Sequence, residues 1–145
     1  MAFASPIHRS RVGRSLSGAG SDSPAFSYDR NPNSIAVGDW TLTLPVAPTV
    51  AATPTCLPKA SIGILKNGVV VFGPVDERNR DAAAYETQDQ CDGHAQQSST
   101  YHYHDIPSCA LAASKGASTV VVTTYHYSAT GEFPYFIGCY RATPG

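Results

Sequence analysis

Cys91-Asp-Gly-His94-Ala-Gln-Gln-Ser-Ser-Thr100-Tyr-His102-Tyr-His104-Asp-Ile-Pro-Ser-Cys109 is the stretch that decides how the chain is read. It carries two of the four cysteines and three of the five histidines, with two tyrosines and two aspartates between them. From Ser99 to His104 the pattern alternates as a strand does. Successive side chains of a strand point to opposite faces, so His102 and His104 share one face and Tyr101 and Tyr103 the other. Two imidazoles at that spacing lie about 6.5–7 Å apart at Cα and can converge on one cation. His94, in the preceding glycine-containing loop, is placed to give a third nitrogen. The run Ser99 to His104 is echoed by Thr123-Thr-Tyr125-His126-Tyr127-Ser128. If the two are neighbouring strands, His126 becomes a fourth ligand; a single echo does not make a repeat architecture.

Neutral imidazole suits zinc, copper, iron or nickel, and the stability order among divalent ions favours copper, so copper or zinc is the expected ion. Asp92 and Asp105 are candidates to ligate it or to orient a ring nitrogen from behind. The bland reading is that tyrosine and histidine simply suit a half-buried strand, rings packed and polar tips hydrogen-bonded. His8 carries no such expectation. An enzyme reading pairs His102 or His104 with Asp105, or with Glu86 or Asp89 folded back, as a general base and its orienting acid, which would make a hydrolase. No Gly-x-Ser-x-Gly elbow, His-Glu-x-x-His helix or phosphate-cradling glycine loop accompanies it. Glu77 and Glu86 as a glycosidase pair would need a spatial separation that sequence does not give; a solvated acidic face accounts for them. The aromatic residues Tyr125, Tyr127, Phe133, Tyr135, Phe136 and Tyr140 would suit a carbohydrate- or protein-binding module, or more simply core and cross-strand packing.

Working outward, 145 residues suggest one domain. Charged residues make up only 14% of the chain and the net charge is −1, so no basic field invites nucleic acid or an anionic membrane. No apolar run reaches the length of a membrane-spanning helix. The expected partner is a metal ion or small molecule; oligomeric state is not legible. Cys56, Cys91, Cys109 and Cys139 contain no Cys-x-x-Cys pair, which argues against a zinc ribbon or a thioredoxin-like motif. An even count in a loop-rich chain favours disulfides and an oxidising compartment. Three pairings are open. Cys91–Cys109 with Cys56–Cys139 is the preferred one, because it closes the histidine segment and ties the start of the domain to its end; four reduced thiols are the alternative.

Residues 1–34 read as a poorly ordered leader. Arg9, Arg11 and Arg14 precede the first acid, Asp22, and no apolar core of a secretion signal is visible. The expected domain spans 35–145. Trp40 to Leu44 alternates as a strand, and the Pro-, Ala- and Thr-rich stretch up to Pro58 predicts an extended linker. Ile62–Leu65 and Val69–Phe72 flank Lys66-Asn67-Gly68, a strong hairpin signal because Asn and Gly accept positive φ. Between Asp76 and Asp92 six acids face Arg78 and Arg80. There Arg80 to Gln90 predicts a short helix stopped by Gly93. One or two helical turns over Ser108–Lys115, a long β-branched strand over Ser118–Tyr127 and a closing strand over Phe133–Tyr140 complete the expectation.

Asn67-Gly68 through Arg80-Asp81, Cys91-Asp92-Gly93-His94 and Tyr101-His102-Tyr103-His104 before Cys109 together resemble the YHYH domain family. Asn31-Pro32-Asn33-Ser34-Ile35, Tyr125-His126-Tyr127, Phe133-Pro134-Tyr135 and Gly138-Cys139-Tyr140-Arg141 extend the resemblance over most of residues 31–143. It implies a secreted or otherwise extracytoplasmic setting and no particular activity, since fold-level likeness does not carry function. Family members usually carry a segment resembling Gly-Tyr-Ala-Leu-Asp-Gly-Phe before the terminal aromatic strand, and begin with a longer β-rich part and a secretion signal. The chain passes from Ala113 to Val122 without that segment and so looks like a shortened member. The expected architecture is a small, mainly β domain of antiparallel strands with short helices, disulfide-bonded.

Overall fold

The computed structural model describes residues 27, 31, 33–37, 49–65, 67–110 and 129–142. Along them run β1 (Val50–Cys56), β2 (Ser61–Ile64), β3 (Val70–Phe72), α1 (Ala82–Tyr85), β4 (Gly93–Ala95), β5 (Tyr101–Tyr103) and β6 (Cys139–Ala142). β1 and β6 pair as a two-stranded sheet, and the others form a four-stranded sheet in the order β2-β3-β5-β4. The mainly β expectation holds, with one change of kind. β3 and β5 are parallel, Val70 opposite His102 and Val71 opposite Tyr103, inside an otherwise antiparallel sheet. All three residues of β3 are buried, as a central strand covered on both faces requires.

The Asn67-Gly68 hairpin is present, in a wider form than a two-residue turn. The Leu65 amide donates to the Val69 carbonyl and the Gly68 amide to the Leu65 carbonyl, with Gly68 at φ 83. A left-handed glycine closes the loop. β4 and β5 turn in the same pattern: Gln96 donates to Thr100, Ser99 donates to Gln96, and Ser99 takes φ 65.

Four expectations are corrected. The Pro- and Thr-rich linker is strand β1, whose outer residues are exposed and whose register shifts between Val50 and Thr55; an exposed edge with a bulge tolerates Pro54, which has no amide to donate. The helix over Arg80–Gln90 shrinks to α1. Asp81 caps it through a bond from the Ala83 amide, and Glu86 leaves it in extended conformation at φ −108, ψ 134. Tertiary contacts of the following loop, described below, overrule the weak local propensity, and Gly93 lies buried in β4 rather than ending a helix. The closing strand begins only at Cys139, because Phe133–Phe136 turns, with a cis Phe133–Pro134 bond and Tyr135 at φ 63. Of the two preferred disulfides, Cys91–Cys109 is formed, with Cα atoms 5.0 Å apart. Cys56 and Cys139 are register partners across β1 and β6 yet are free, exposed thiols. Opposed Cα atoms do not by themselves give the Cβ–Sγ directions a bridge needs. The strands expected over Trp40–Leu44 and Ser118–Tyr127, and with them His126, lie outside the described residues, as does most of the leader; Ser108–Ala110 is helical.

Gly93 sits opposite Tyr103 in register, beneath the two tyrosines of β5. Any Cβ there would collide with the Tyr101 ring and hydroxyl and would lie 2.8 Å from Cε1 of Tyr103. Gly93→Ala should therefore overpack the tyrosine face and cost about 1–3 kcal/mol. Urea denaturation measures it, and an unchanged midpoint would show that the face yields freely.

Candidate metal centre

Strand pairing builds the site. His94 on β4 lies directly opposite His102 on β5, and His104 follows two residues later, just past the end of the strand. The i, i+2 expectation for one face is met, and all three rings are buried. His94 Nε2 is 3.0 Å from His102 Nε2, which is 3.1 Å from His104 Nε2. His94 is a strand residue rather than a loop residue, and that is what places it in register with His102.

The other ring nitrogens decide what those contacts are. Nδ1 of His94 is 2.9 Å from the Thr87 carbonyl, Nδ1 of His102 3.2 Å from the Thr100 carbonyl, and Nδ1 of His104 2.6 Å from the Gly73 carbonyl. A carbonyl only accepts, so each Nδ1 carries the proton and donates it. A neutral ring protonated at Nδ1 has a bare lone pair at Nε2. In that state the three Nε2 lone pairs face one another. Burial, and then the neighbouring His94 and His104, push His102 down to about 2, against the opposing pull of its bond to Thr100. The ring is thus neutral at pH 7.

Glu86 brings a fourth acceptor. Its Oε2 is 2.9 Å from His104 Nε2 and 3.4 Å from His94 Nε2, and this buried oxygen has no hydrogen-bond partner among the described residues. Donors at 2.0–2.1 Å from one ion are about 3.3 Å apart in a tetrahedron and about 3.0 Å apart at right angles. Four of the donor spacings, 2.9 to 3.4 Å, are of that size, and the three imidazole donors all lie within 4.8 Å of one another. The three histidines form a cluster able to hold a metal ion, and Glu86 is positioned at its edge. Phe72 covers one side, stacked on His102 with ring centroids 3.9 Å apart.

The opposite face of β5 is braced separately. Tyr101 donates to both oxygens of Asp89, each at 2.9 Å, and Asp89 also accepts from the Cys91 and Gly93 amides. Burial and the Asp89 carboxylate raise the Tyr101 hydroxyl far above its usual range, so it stays a donor. These bonds, with Thr87 turned towards His94, are what stop α1 at Tyr85.

Asp92 and Asp105 do not hold the imidazoles: backbone carbonyls stand at the three Nδ1 atoms. Asp92 accepts from the Ser108 amide beside the disulfide. Asp105 has a buried Oδ1 without a hydrogen-bond partner among the described residues, and burial, then the Asp92 carboxylate, raises its carboxyl to about 6. Sequence reasoning named Glu86 as an orienting acid but missed its place among the Nε2 atoms. It also missed the carbonyls of Gly73, Thr87 and Thr100, which no residue type encodes, although Gly73 has a trace: a Cβ there would stand 2.7 Å from the Pro58 carbonyl oxygen.

The cluster opens on a cavity of about 460 Å³ whose wall includes Phe72, Asp76, Arg80, Tyr85 and Glu86. Asp76 organises that wall. One oxygen accepts from the Arg78 and Arg80 amides and the other from Arg80 Nε at 2.7 Å. Burial alone would raise its carboxyl; the bonds from Arg80 and Arg78, with the Arg80 charge, outweigh burial and lower it.

A family model described as YHYH protein matches residues 41–123, more than half of the 145-residue chain. The chain therefore belongs to that family. No curated protein and no solved structure matches it.

Because the Asp76 carboxyl is depressed in the folded state, its contribution is complete above the unfolded value near pH 4 and fades as pH falls through the folded value. Asp76→Asn should cost about 1–3 kcal/mol at pH 7. Chemical denaturation at a series of pH values should show that gap closing as pH falls below about 4; a gap independent of pH would mean that charge plays no part.

Proposed function

We propose that this member of the YHYH family is a metal-binding domain that holds copper or zinc through Nε2 of His94, His102 and His104, with Glu86 as an oxygen donor. One observation carries the reading: three buried imidazoles commit Nδ1 to backbone carbonyls and bring their Nε2 atoms together, His94 to His102 at 3.0 Å and His102 to His104 at 3.1 Å. Buried acceptors facing one another at about 3 Å are unfavourable unless a cation stands between them. Imidazole nitrogen with one carboxylate oxygen suits zinc and copper. The carbonyls supply the outer support that fixes ring orientation in metal sites. We place the domain in an extracytoplasmic setting, which the Cys91–Cys109 disulfide supports; no helix among the described residues is long and apolar enough to cross a membrane.

One observation favours a second reading. Glu86 and His104 stand 2.9 Å apart, so a proton taken up at His104 Nε2 would be shared with the Glu86 carboxylate, as in a metal-free general base. The two readings part on chelation, since an activity that survives EDTA and is lost in His104→Ala belongs to the second.

Calorimetric titration of the oxidised, metal-stripped chain with Cu(II) and with Zn(II) should give one ion per chain. His102→Ala/His104→Ala should abolish binding, and Glu86→Gln should weaken it. Free ion at 100 times Kd should stabilise the wild type by about 2.7 kcal/mol. Stoichiometric binding retained by the double variant would remove the site, and no binding by the wild type would remove the function.

A further inference from the structure

We infer that the metal centre takes a small oxyanion, a carboxylate or phosphate group held between the ion and the Arg80 guanidinium. This rests on the metal-binding reading above. His94, His102, His104 and Arg80 line one cavity, open to solvent and large enough for a small molecule.

Arg80 is fixed in place with its recognition face to spare. Its Nε is bonded to Asp76 and its guanidinium lies 4.4 Å above the centre of the Tyr85 ring. Its terminal N–H groups make no hydrogen bond among the described residues, and the side chain is one-third exposed. A guanidinium held on one side by a carboxylate and below by an aromatic ring has little freedom left to lose, so it binds an oxyanion with its remaining planar donors at low entropic cost.

Charge makes the ion and the anion interdependent. Lys59, Arg78 and Arg80 on the cavity wall are matched in number by Asp76, Glu77 and Glu86. Without an ion the wall is balanced and has no general preference for an anion. A divalent cation tips it positive, and a cleft with a partly apolar wall concentrates that field. Oxyanion binding therefore requires the metal, and by linkage the oxyanion tightens the metal by the same factor.

The test uses the full, disulfide-bonded chain loaded with one equivalent of Co(II), whose visible spectrum reports its ligands, titrated with inorganic phosphate and, separately, acetate. A saturable spectral change with at least one anion is expected, the tighter of the two identifying the preferred group. Arg80→Gln should retain one Co(II) per chain and bind that anion at least about tenfold more weakly, since a charge-assisted hydrogen bond is worth that much; Arg80→Lys should recover part of the loss. A spectrum unmoved by either anion, or an equal response in Arg80→Gln, overturns the inference and leaves the metal site standing. Should Arg80→Gln fail to fold, Co(II) affinity of the wild type with and without phosphate or acetate decides: tighter binding supports the inference and unchanged affinity overturns it. A wild type that takes up no Co(II), Cu(II) or Zn(II) removes the metal reading, and this inference with it.

Discussion

Three bonds from imidazole N–H groups to backbone carbonyls set the character of this domain. Each fixes a tautomer, and each comes from a different part of the chain: Gly73 directly after β3, Thr87 in the loop after α1, Thr100 at the mouth of the β4–β5 hairpin. Side chains in those roles would titrate or swing; carbonyls do neither. The rings are thereby anchored to the sheet itself, and the direction of every Nε2 lone pair follows from strand register. Shifting β4 by one residue against β5 would turn His94 to the tyrosine face and dismantle the cluster.

The same sheet keeps two chemistries apart. On one face lie imidazoles and Phe72; on the other Tyr101 and Tyr103 meet edge to face over Gly93, 5.4 Å between centroids, with Asp89 gathering the tyrosine hydroxyl and two amides. A period of two residues produces the separation. The tyrosine face then acts as a brace, because the Asp89 loop that it holds also delivers Thr87 to His94.

Period and turn chemistry are what the sequence displays openly. They predict the shared face of His102 and His104 and the Asn67-Gly68 hairpin, and the cysteine count with loop closure points to the Cys91–Cys109 bridge. What they hide has a common cause. The short α1, the strand identity of His94 and the parallel pairing of β3 with β5 are tertiary outcomes, settled by which polar groups must be satisfied after collapse rather than by local preference. Glu86 illustrates this: its neighbours Ala82–Tyr85 are helical, yet its own extended conformation accompanies the departure of the chain from the helix and its approach to the histidines. The Pro-rich stretch failed as a linker for the complementary reason, since an exposed two-stranded edge makes few demands of its residues.

In the proposed reading, stability and metal binding meet at the histidines. The four-stranded sheet has short strands, and its buried apolar side chains among the described residues centre on Val69–Phe72, Ala82, Ala95 and Tyr103. A core of that size gains little beyond the entropy it must overcome, and it surrounds polar rings whose acceptors oppose one another. The Cys91–Cys109 bridge spans the β4–β5 hairpin and stabilises it by roughly 3 kcal/mol in the chain-entropy picture. It acts on the unfolded chain and so leaves the repulsion at Nε2 untouched. In the metal-binding reading proposed above, a bound cation would relieve that repulsion, and its binding energy would become folding energy. Bridge and ion would then have separate tasks, the first holding the hairpin closed and the second satisfying the cluster of acceptors.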